Sequence, residues 1–369
     1  MVHVIFGTRP ELIKMAPVIH ELDKRGISFK IVSTGQHREM LAPLLKWFAI
    51  EPDYDLAIMK KNQSINGIIH NSILELEKIF LKDNPNFVLV QGDTTTAFVA
   101  ALAAFNNKIK IGHIEAGLRT NNIYNPFPEE ANRRLICQIA TLHFAPTPNS
   151  FQNLQHDGID SEQIYNTGNT VIDALYYTVD KLSGHNFLDT SLIEKISKYN
   201  EKVITITGHR RENIGEGFEN IFNAIKKSAL RYSSFLFVYP VHLNPLVKEV
   251  ANRILGEVDN ILLIEPLDYP AFVQLMKLSH FMISDSGGVQ EEAPSLGIPV
   301  LVTRKTTERI EAVEAGTVEL VGDNAEYIYT AICQLMDNKD KFKKMSAAIN
   351  PYGDGTAAKK IIDVLESYD

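Results

Sequence analysis

Short apolar runs alternate with longer stretches of helical spacing along almost the whole chain, and this alternation limits the fold more than any other feature. In the first half the runs are Val2–Phe6, Phe29–Ser33, Phe87–Gln91, Ile109–His113 and Leu142–Ala145. Between them, Leu12, Met15, Ala16, Ile19 and Leu22 mark one helical face, opened by Pro10 in a favoured first-turn position. Residues 65–81 and 94–105 mark two more helices. The rhythm then restarts with runs at Val203–Thr207, Phe235–Tyr239, Ile261–Ile264, Phe281–Ser284 and Val300–Val302. Helices are expected over residues 219–230, 244–255, 271–278 and 325–336. Strands separated by helices form βαβ units, whose strands run parallel. The expected architecture is therefore α/β: two Rossmann-like parallel-sheet domains facing a cleft, residues 1–169 and 170–354, with a hinge near Asn169–Val171. Residues 355–369 carry a lone amphipathic helix with no strand after it, expected to cross back onto the first domain.

A chain of 369 residues is long enough to bury two cores without disulfide or metal staples. Cys137 and Cys333 are its two cysteines, so no disulfide framework can be drawn, and free thiols in a reducing cytoplasm are expected. The formal net charge of -8 argues against a nucleic-acid-binding surface, while leaving room for a local basic site for an anion. The N-terminus lacks the basic residues and the apolar stretch of about 7–15 residues that mark a secretory signal. No window reaches the roughly 18 apolar residues that read as a membrane span. The expectation is a cytoplasmic protein with no membrane partner.

Open α/β sheets bind ligands beyond the carboxyl ends of their strands, and the unusual polar residues lie there. After the first run come Gly7, Thr8, Arg9, Pro10 and Glu11, with Lys14 one turn on. A glycine, a helix start and two cations suit an anion, although a capped helix with solvated cations has the same sequence. After the third run come Gly92, Asp93 and Thr94; after the fourth, Glu115 and Arg119, then Pro128, Glu129, Glu130 and Arg133-Arg134. Asp93, Glu115 and Glu129 can face one pocket and divide acid and base roles. The alternative is a set of salt bridges to Arg119, Arg133 and Arg134, and spacing does not choose between the two.

In the second half, Gly208-His209-Arg210-Arg211 follows a strand and suits a diphosphate, with His209 as hydrogen-bond or proton donor. The most informative segment is Ser284-Asp285-Ser286-Gly287-Gly288-Val289-Gln290-Glu291-Glu292. Its glycines free backbone N–H groups for phosphate oxygens, and Glu292 stands a turn later, placed for ribose hydroxyls. Arg309 follows the next strand. No phosphate-binding P-loop occurs. Gly353-Asp354-Gly355-Thr356-Ala357-Ala358 fits GxGxxA, but no strand follows it and no acidic residue stands ~20 positions on, so a dinucleotide site is rejected. No Cys/His cluster has metal-ligand spacing; neither metal nor cofactor is expected.

Taken together, these segments resemble the non-hydrolysing UDP-N-acetylglucosamine 2-epimerase family. The resemblance rests on Gly7-Thr8-Arg9-Pro10-Glu11 with Ile13-Lys14-Met15, Gly92-Asp93-Thr94, Glu115-Ala116-Gly117-Leu118-Arg119-Thr120 and Pro128-Glu129-Glu130 with Asn132-Arg133. It continues through Thr167-Gly168-Asn169-Thr170, Gly208-His209-Arg210-Arg211-Glu212-Asn213, Pro240-Val241-His242, residues 285–294 and Asn350-Pro351-Tyr352-Gly353. It implies the two-domain fold of B-type glycosyltransferases, a homodimer, and reversible conversion of UDP-GlcNAc to UDP-ManNAc for surface polysaccharide. UDP is eliminated across C1–C2 to 2-acetamidoglucal and then added back, without a redox cofactor.

By motif position the resemblance implies Asp93, Glu115, Glu129 and His209 as catalytic residues. Arg9, Lys14, Arg133, His209, Phe272, Ser286, Gly287, Gly288, Glu292 and Arg309 are implied in substrate binding. Which carboxylate takes the proton and which returns it stays open. Two departures stand out. Ile310 replaces the proline that usually follows Thr-Glu-Arg, and Gln36-His37-Arg38-Glu39 with Asn62 departs from the pattern by which many bacterial members bind UDP-GlcNAc as an activator. A B-type glycosyltransferase would share the nucleotide site but need an acceptor groove, and a nucleotide-sugar sensor would lack the carboxylates. A hydrolysing epimerase, or one acting on diacetamido-uronic acid sugars, would share most motifs.

Overall fold

The computed structural model describes residues 1–35, 38–58, 63–200 and 202–368. The chain divides into two compact units, Met1–Tyr177 with Tyr352–Asp369, and Thr178–Pro351. The first holds a seven-stranded sheet of β1 (Val2–Phe6), β2 (Phe29–Ser33), β3 (Tyr54–Asp55), β4 (Phe87–Gln91), β5 (Lys110–Ile114), β6 (Leu142–Ala145) and β7 (Ile164–Asn166). Its order is β3-β2-β1-β4-β5-β6-β7, with every neighbouring pair parallel. β1 and β4 are buried along their whole length because helices cover both faces, which is why they read as unbroken apolar runs. Ile5, Val88, Val90 and Ile111 pack with Leu76 and Phe80 of helix Ile65–Asp83 and the alanine-rich face of helix Thr95–Asn106. The chain runs to one edge at β3 and returns beside β1 as β4, so the order reverses between β1 and β4.

The C-terminal helix Ala357–Tyr368 belongs to the first unit. Arg25, which ends helix Arg9–Lys24, pairs with Asp363 at 2.7 Å and Glu366 at 2.6 Å. Asp173 accepts the first N–H groups of the C-terminal helix, from Ala357 at 3.2 Å and Ala358 at 2.9 Å. The GxGxxA segment is the turn into this helix. Gly355 has a φ of 81°, and a Cβ there would lie 2.4 Å from the Tyr176 ring, so glycine is needed for packing.

The second unit repeats the pattern with β8 (Val203–Thr207), β9 (Leu236–Pro240), β10 (Ile261–Ile264), β11 (Ser279–Ser284), β12 (Val300–Val302) and β13 (Val318–Leu320). The order is β10-β9-β8-β11-β12-β13, again all parallel, with the reversal between β8 and β11. Phe218, Phe222, Phe237, Tyr239 and Phe281 fill its core. Both sheets thus have the doubly wound Rossmann order. Three strands that no apolar run announces, β3, β7 and β13, are sheet edges of two or three residues. Edge strands are covered on fewer sides, so they need no continuous apolar sequence. The polar stretch after residue 175 resolves into the end of helix Thr170–Lys181 and helix Thr190–Lys198.

Candidate functional site

In the first unit, polar groups gather at the carboxyl ends of β1, β4 and β5. β5 ends at Ile114, so Glu115 is the first residue beyond it, with its backbone at φ 62° in the left-handed region. A residue with a Cβ takes that conformation at a cost of about 1–2 kcal/mol, so its surroundings must hold it there. The next residue, Ala116, donates its N–H to Phe144 at 3.0 Å, and Gly92 donates to Ile114 at 2.9 Å. The buried Glu115 carboxylate takes both oxygens to Lys14 Nζ at 2.6 Å. It also accepts from the Gln91 amide, and from Asn169 Nδ2 at 3.4 Å.

Asp93 leaves the end of β4, the strand beside β5. Arg133 grips one oxygen of its carboxylate through Nε at 2.8 Å and a terminal nitrogen at 2.6 Å. Asn132 donates to the Asp93 carbonyl at 2.8 Å. The His113 ring lies with Nε2 2.7 Å from the Gly92 carbonyl, and burial lowers its pKa to about 3. It is therefore neutral, with its proton on the nitrogen that donates to Gly92. Asp93 is thus bridged to Arg133, one of the arginines the sequence offered, whereas Glu115 is paired with Lys14. Arg119 turns to Asp157 at 2.7 Å and Arg134 to Glu130 at 3.1 Å. Glu129 is half-buried and opens helix Glu129–Ile139, and Arg9 is exposed at the start of helix Arg9–Lys24.

The turn after β1 is closed by the helix it leads into, through the capping box Thr8-Arg9-Pro10-Glu11, a local signal the sequence carried but the reading above did not use. Its N–H groups, read above as donors to an anion, already have one. Gly7 and Thr8 donate to the Glu11 carboxylate at 3.0 and 2.7 Å. An anion from outside would meet the exposed Arg9 side chain here, and not these amides.

In the second unit the strand ends of β8, β11 and β12 supply the polar groups. Asp285, fully buried, accepts the N–H groups of His209 and Arg210 at 2.9 Å each, with the His209 ring nitrogen Nδ1 at 3.2 Å. Burial pushes its carboxyl up, but the His209 ring and the two amides outweigh that and hold it below the usual value. This orients His209, whose ring stacks on that of His242 at 5.5 Å. Ser286 caps helix Gly287–Glu292. A Cβ on Gly287 would stand 2.8 Å from the Arg309 guanidinium, and one on Gly288 3.4 Å from the Glu292 carboxylate. The structure thus brings Gly287 to Arg309 and Gly288 to Glu292.

Arg309 is held by Glu291 at 2.9 Å and by Glu308. Arg304, buried after β12, pairs with Glu308 and Glu212 at 2.8 Å each. Burial pushes the Glu308 carboxyl up, but Arg309 and Arg304 overcome it and bring it to about 2. Glu292 accepts from the hydroxyl of the half-buried Tyr269 at 2.9 Å, and desolvation and then Glu292 keep that phenol well above its ordinary value. Phe272 lies half-buried on the same helix, Tyr269–Lys277. Gln91, Asn169, Arg304 and Tyr269 are partners that sequence patterns did not single out. Only Asn169 stood in a quoted motif; the others depend on contacts between distant segments. The activator segment lies outside the described residues: Gln36, His37 and Asn62 are not among them, nor are the side chains of Arg38 and Glu39.

Among the described residues no group of three metal-ligating side chains is arranged to hold an ion, and no helix is long and apolar enough to cross a membrane. A family described as UDP-N-acetylglucosamine 2-epimerase matches residues 20–366. The UDP-N-acetylglucosamine 2-epimerase of Campylobacter jejuni is 50% identical over 368 residues, covering 98% of this chain and 96% of its own. A crystal structure of UDP-GlcNAc 2-epimerase from Neisseria meningitidis bound to UDP-GlcNAc is 51% identical, with a TM-score of 0.90 and 99% of each chain covered. One from Methanocaldococcus jannaschii, in complex with UDP-GlcNAc and UDP, is 32% identical with a TM-score of 0.81, covering 100% of this chain and 99% of its own. The match over almost the full length, at about 50% identity to several such enzymes, shows that the chain belongs to the UDP-N-acetylglucosamine 2-epimerase family of isomerases.

Proposed function

We propose that the protein interconverts UDP-GlcNAc and UDP-ManNAc by elimination and re-addition of UDP. The observation that carries this reading is the pair of carboxylates at adjacent strand ends, Asp93 bridged to Arg133 and Glu115 bridged to Lys14. The C2 hydrogen has no neighbouring carbonyl to acidify it, so its removal must be coupled to loss of a good leaving group. One carboxylate takes the C2 proton as the C1–O bond breaks. The electron pair of the C–H bond forms the C1–C2 double bond, and UDP departs with the C–O pair. UDP then adds back to C1 while a proton reaches the opposite face of C2. Asp93, Glu115 and Glu129 serve as the acid and base groups, with Lys14 and Arg133 fixing two of them.

The second unit serves the nucleotide in this reading. Arg309, the Ser286 side chain and the N–H groups of Gly287 and Gly288 meet the diphosphate, where charge develops as UDP leaves. His209, oriented by Asp285, supplies a hydrogen bond to the leaving oxygen. Glu292 accepts from ribose hydroxyls, Phe272 lies beside the uracil, and Arg9 adds a further cation. A homodimer, a cytoplasmic location and a supply of UDP-ManNAc to surface polysaccharide belong to the same reading on the family resemblance alone. The test is to incubate the protein with UDP-GlcNAc in D2O, without NAD or metal, and follow proton NMR. UDP-ManNAc should appear with deuterium at C2 of both sugars. Retention of the original C2 hydrogen through many turnovers would exclude elimination, and accumulating free ManNAc would mark a hydrolysing enzyme.

A further inference from the structure

We propose that Glu11 is a positioning residue for the reaction: its carboxylate ties the turn after β1 to the turn after β4 and so fixes the backbone that carries Asp93. The inference rests on the reading of Asp93 as an acid or base. A glutamate in the first turn of a helix ordinarily accepts one N–H, that of the residue before the helix. Glu11 does this with Thr8 at 2.7 Å, but its bonding goes further. The same oxygen accepts from Gly7 at 3.0 Å, and the other accepts the Thr94 hydroxyl at 2.5 Å.

Thr94 is itself the cap of the next helix, accepting from Ala97 N–H at 3.0 Å, so its single hydroxyl proton is committed to Glu11. One carboxylate therefore joins two helix starts on either side of the point where the strand order reverses. Gly7 packs directly against two threonine side chains, which leaves no room for one of its own. A Cβ on Gly7 would lie 2.2 Å from the Thr34 hydroxyl oxygen and 2.5 Å from that of Thr96. Asp93 sits between Gly92, whose carbonyl His113 holds, and Thr94, which Glu11 holds. Glu11 is only 1% exposed, so it acts on the substrate through this backbone and not by touching it. Burial pushes the Glu11 carboxyl up, and the hydrogen bonds from Thr94, Thr8 and Gly7, all of them donors, pull the other way. An amide has one acceptor oxygen and turns an N–H group toward either Thr94 or the two backbone donors.

The experiment compares the intact wild-type enzyme with E11Q, T94V, T94S and the E11Q/T94V double variant. It measures kcat and KM for UDP-GlcNAc by NMR, UDP affinity by calorimetry, and melting by circular dichroism. E11Q and T94V should each lower kcat about 10–100-fold, the scale of a small misplacement of a catalytic group, with UDP affinity within about twofold of wild type. T94S, which keeps the hydroxyl, should restore kcat, and the double variant should be no worse than the poorer single, because both break one link. Wild-type kcat in E11Q or T94V would overturn the inference, as would multiplying effects or parallel loss of UDP affinity. Should E11Q fail to fold, T94V against T94S decides alone. A wild-type enzyme that turned over nothing would instead sink the reading of the reaction, and this inference with it.

Discussion

At the scale of single residues, most polar side chains at the strand ends are held by a partner from a distant part of the chain. Lys14 holds Glu115, Arg133 holds Asp93, Asp285 holds His209, and Glu291 with Glu308 holds Arg309. On the proposed reading, Asp93 acts only as the reaction proceeds, whereas Glu292 binds the nucleotide throughout. Asp93→Asn should therefore lower turnover by ~10²–10⁴, the scale of a lost general acid or base, while UDP affinity measured by calorimetry stays near normal. Glu292→Gln should do the reverse, weakening UDP by about 10–150-fold, the worth of one hydrogen bond to a charged group, with a smaller loss in kcat. An Asp93→Asn enzyme that bound UDP poorly and turned over at the normal rate would show the roles to be misassigned.

At the scale of elements, the C-terminal helix Ala357–Tyr368 shows how one side chain can hold the start of a distant segment. Asp173 caps its start, and burial pushes that carboxyl up to about 6, against the pull of the Ala357 and Ala358 amides. The folded pKa lies above the unfolded value of about 3.8, so the folded state binds the proton more tightly. The resulting stability is full below about pH 3.8 and is lost as pH rises through about 6. Asp173→Asn removes the titration. Urea unfolding should show wild type losing up to about 3 kcal/mol relative to Asp173→Asn between pH 4 and pH 7. A constant difference across that range would mean that the group does not titrate in the window. The edge strands teach the complementary lesson. β3, β7 and β13 pair correctly although nothing in their two or three residues specifies a strand, because the neighbouring strand supplies the ladder.

At the scale of the whole molecule, each unit has its own sheet and its own apolar core, and the second is a single continuous segment. A domain with these properties can fold alone. A fragment of residues 178–351 should therefore show a cooperative thermal transition and bind UDP, because His209, Ser286, Glu292 and Arg309 all lie within it. It should not exchange the C2 hydrogen of UDP-GlcNAc, because Asp93, Glu115 and Glu129 do not. A folded fragment without measurable UDP affinity would show that the nucleotide depends on residues of the first unit. The sequence by itself determined the class of fold and where to look for the site. Buried parallel strands must be apolar throughout, so β1, β4, β8 and β11 are legible as runs. Parallel strands also bring all their carboxyl ends to one edge of their sheet, so Gly7, Asp93 and Glu115 group together, as do His209 and Ser286, on their order in the chain alone. Only the tertiary structure decided the partners. That Glu11 reaches Thr94 beyond β4, that Lys14 and not an arginine holds Glu115, and that Asp173 caps a helix far along the chain all depend on contacts between distant segments. No local pattern records such contacts, because each is set by packing.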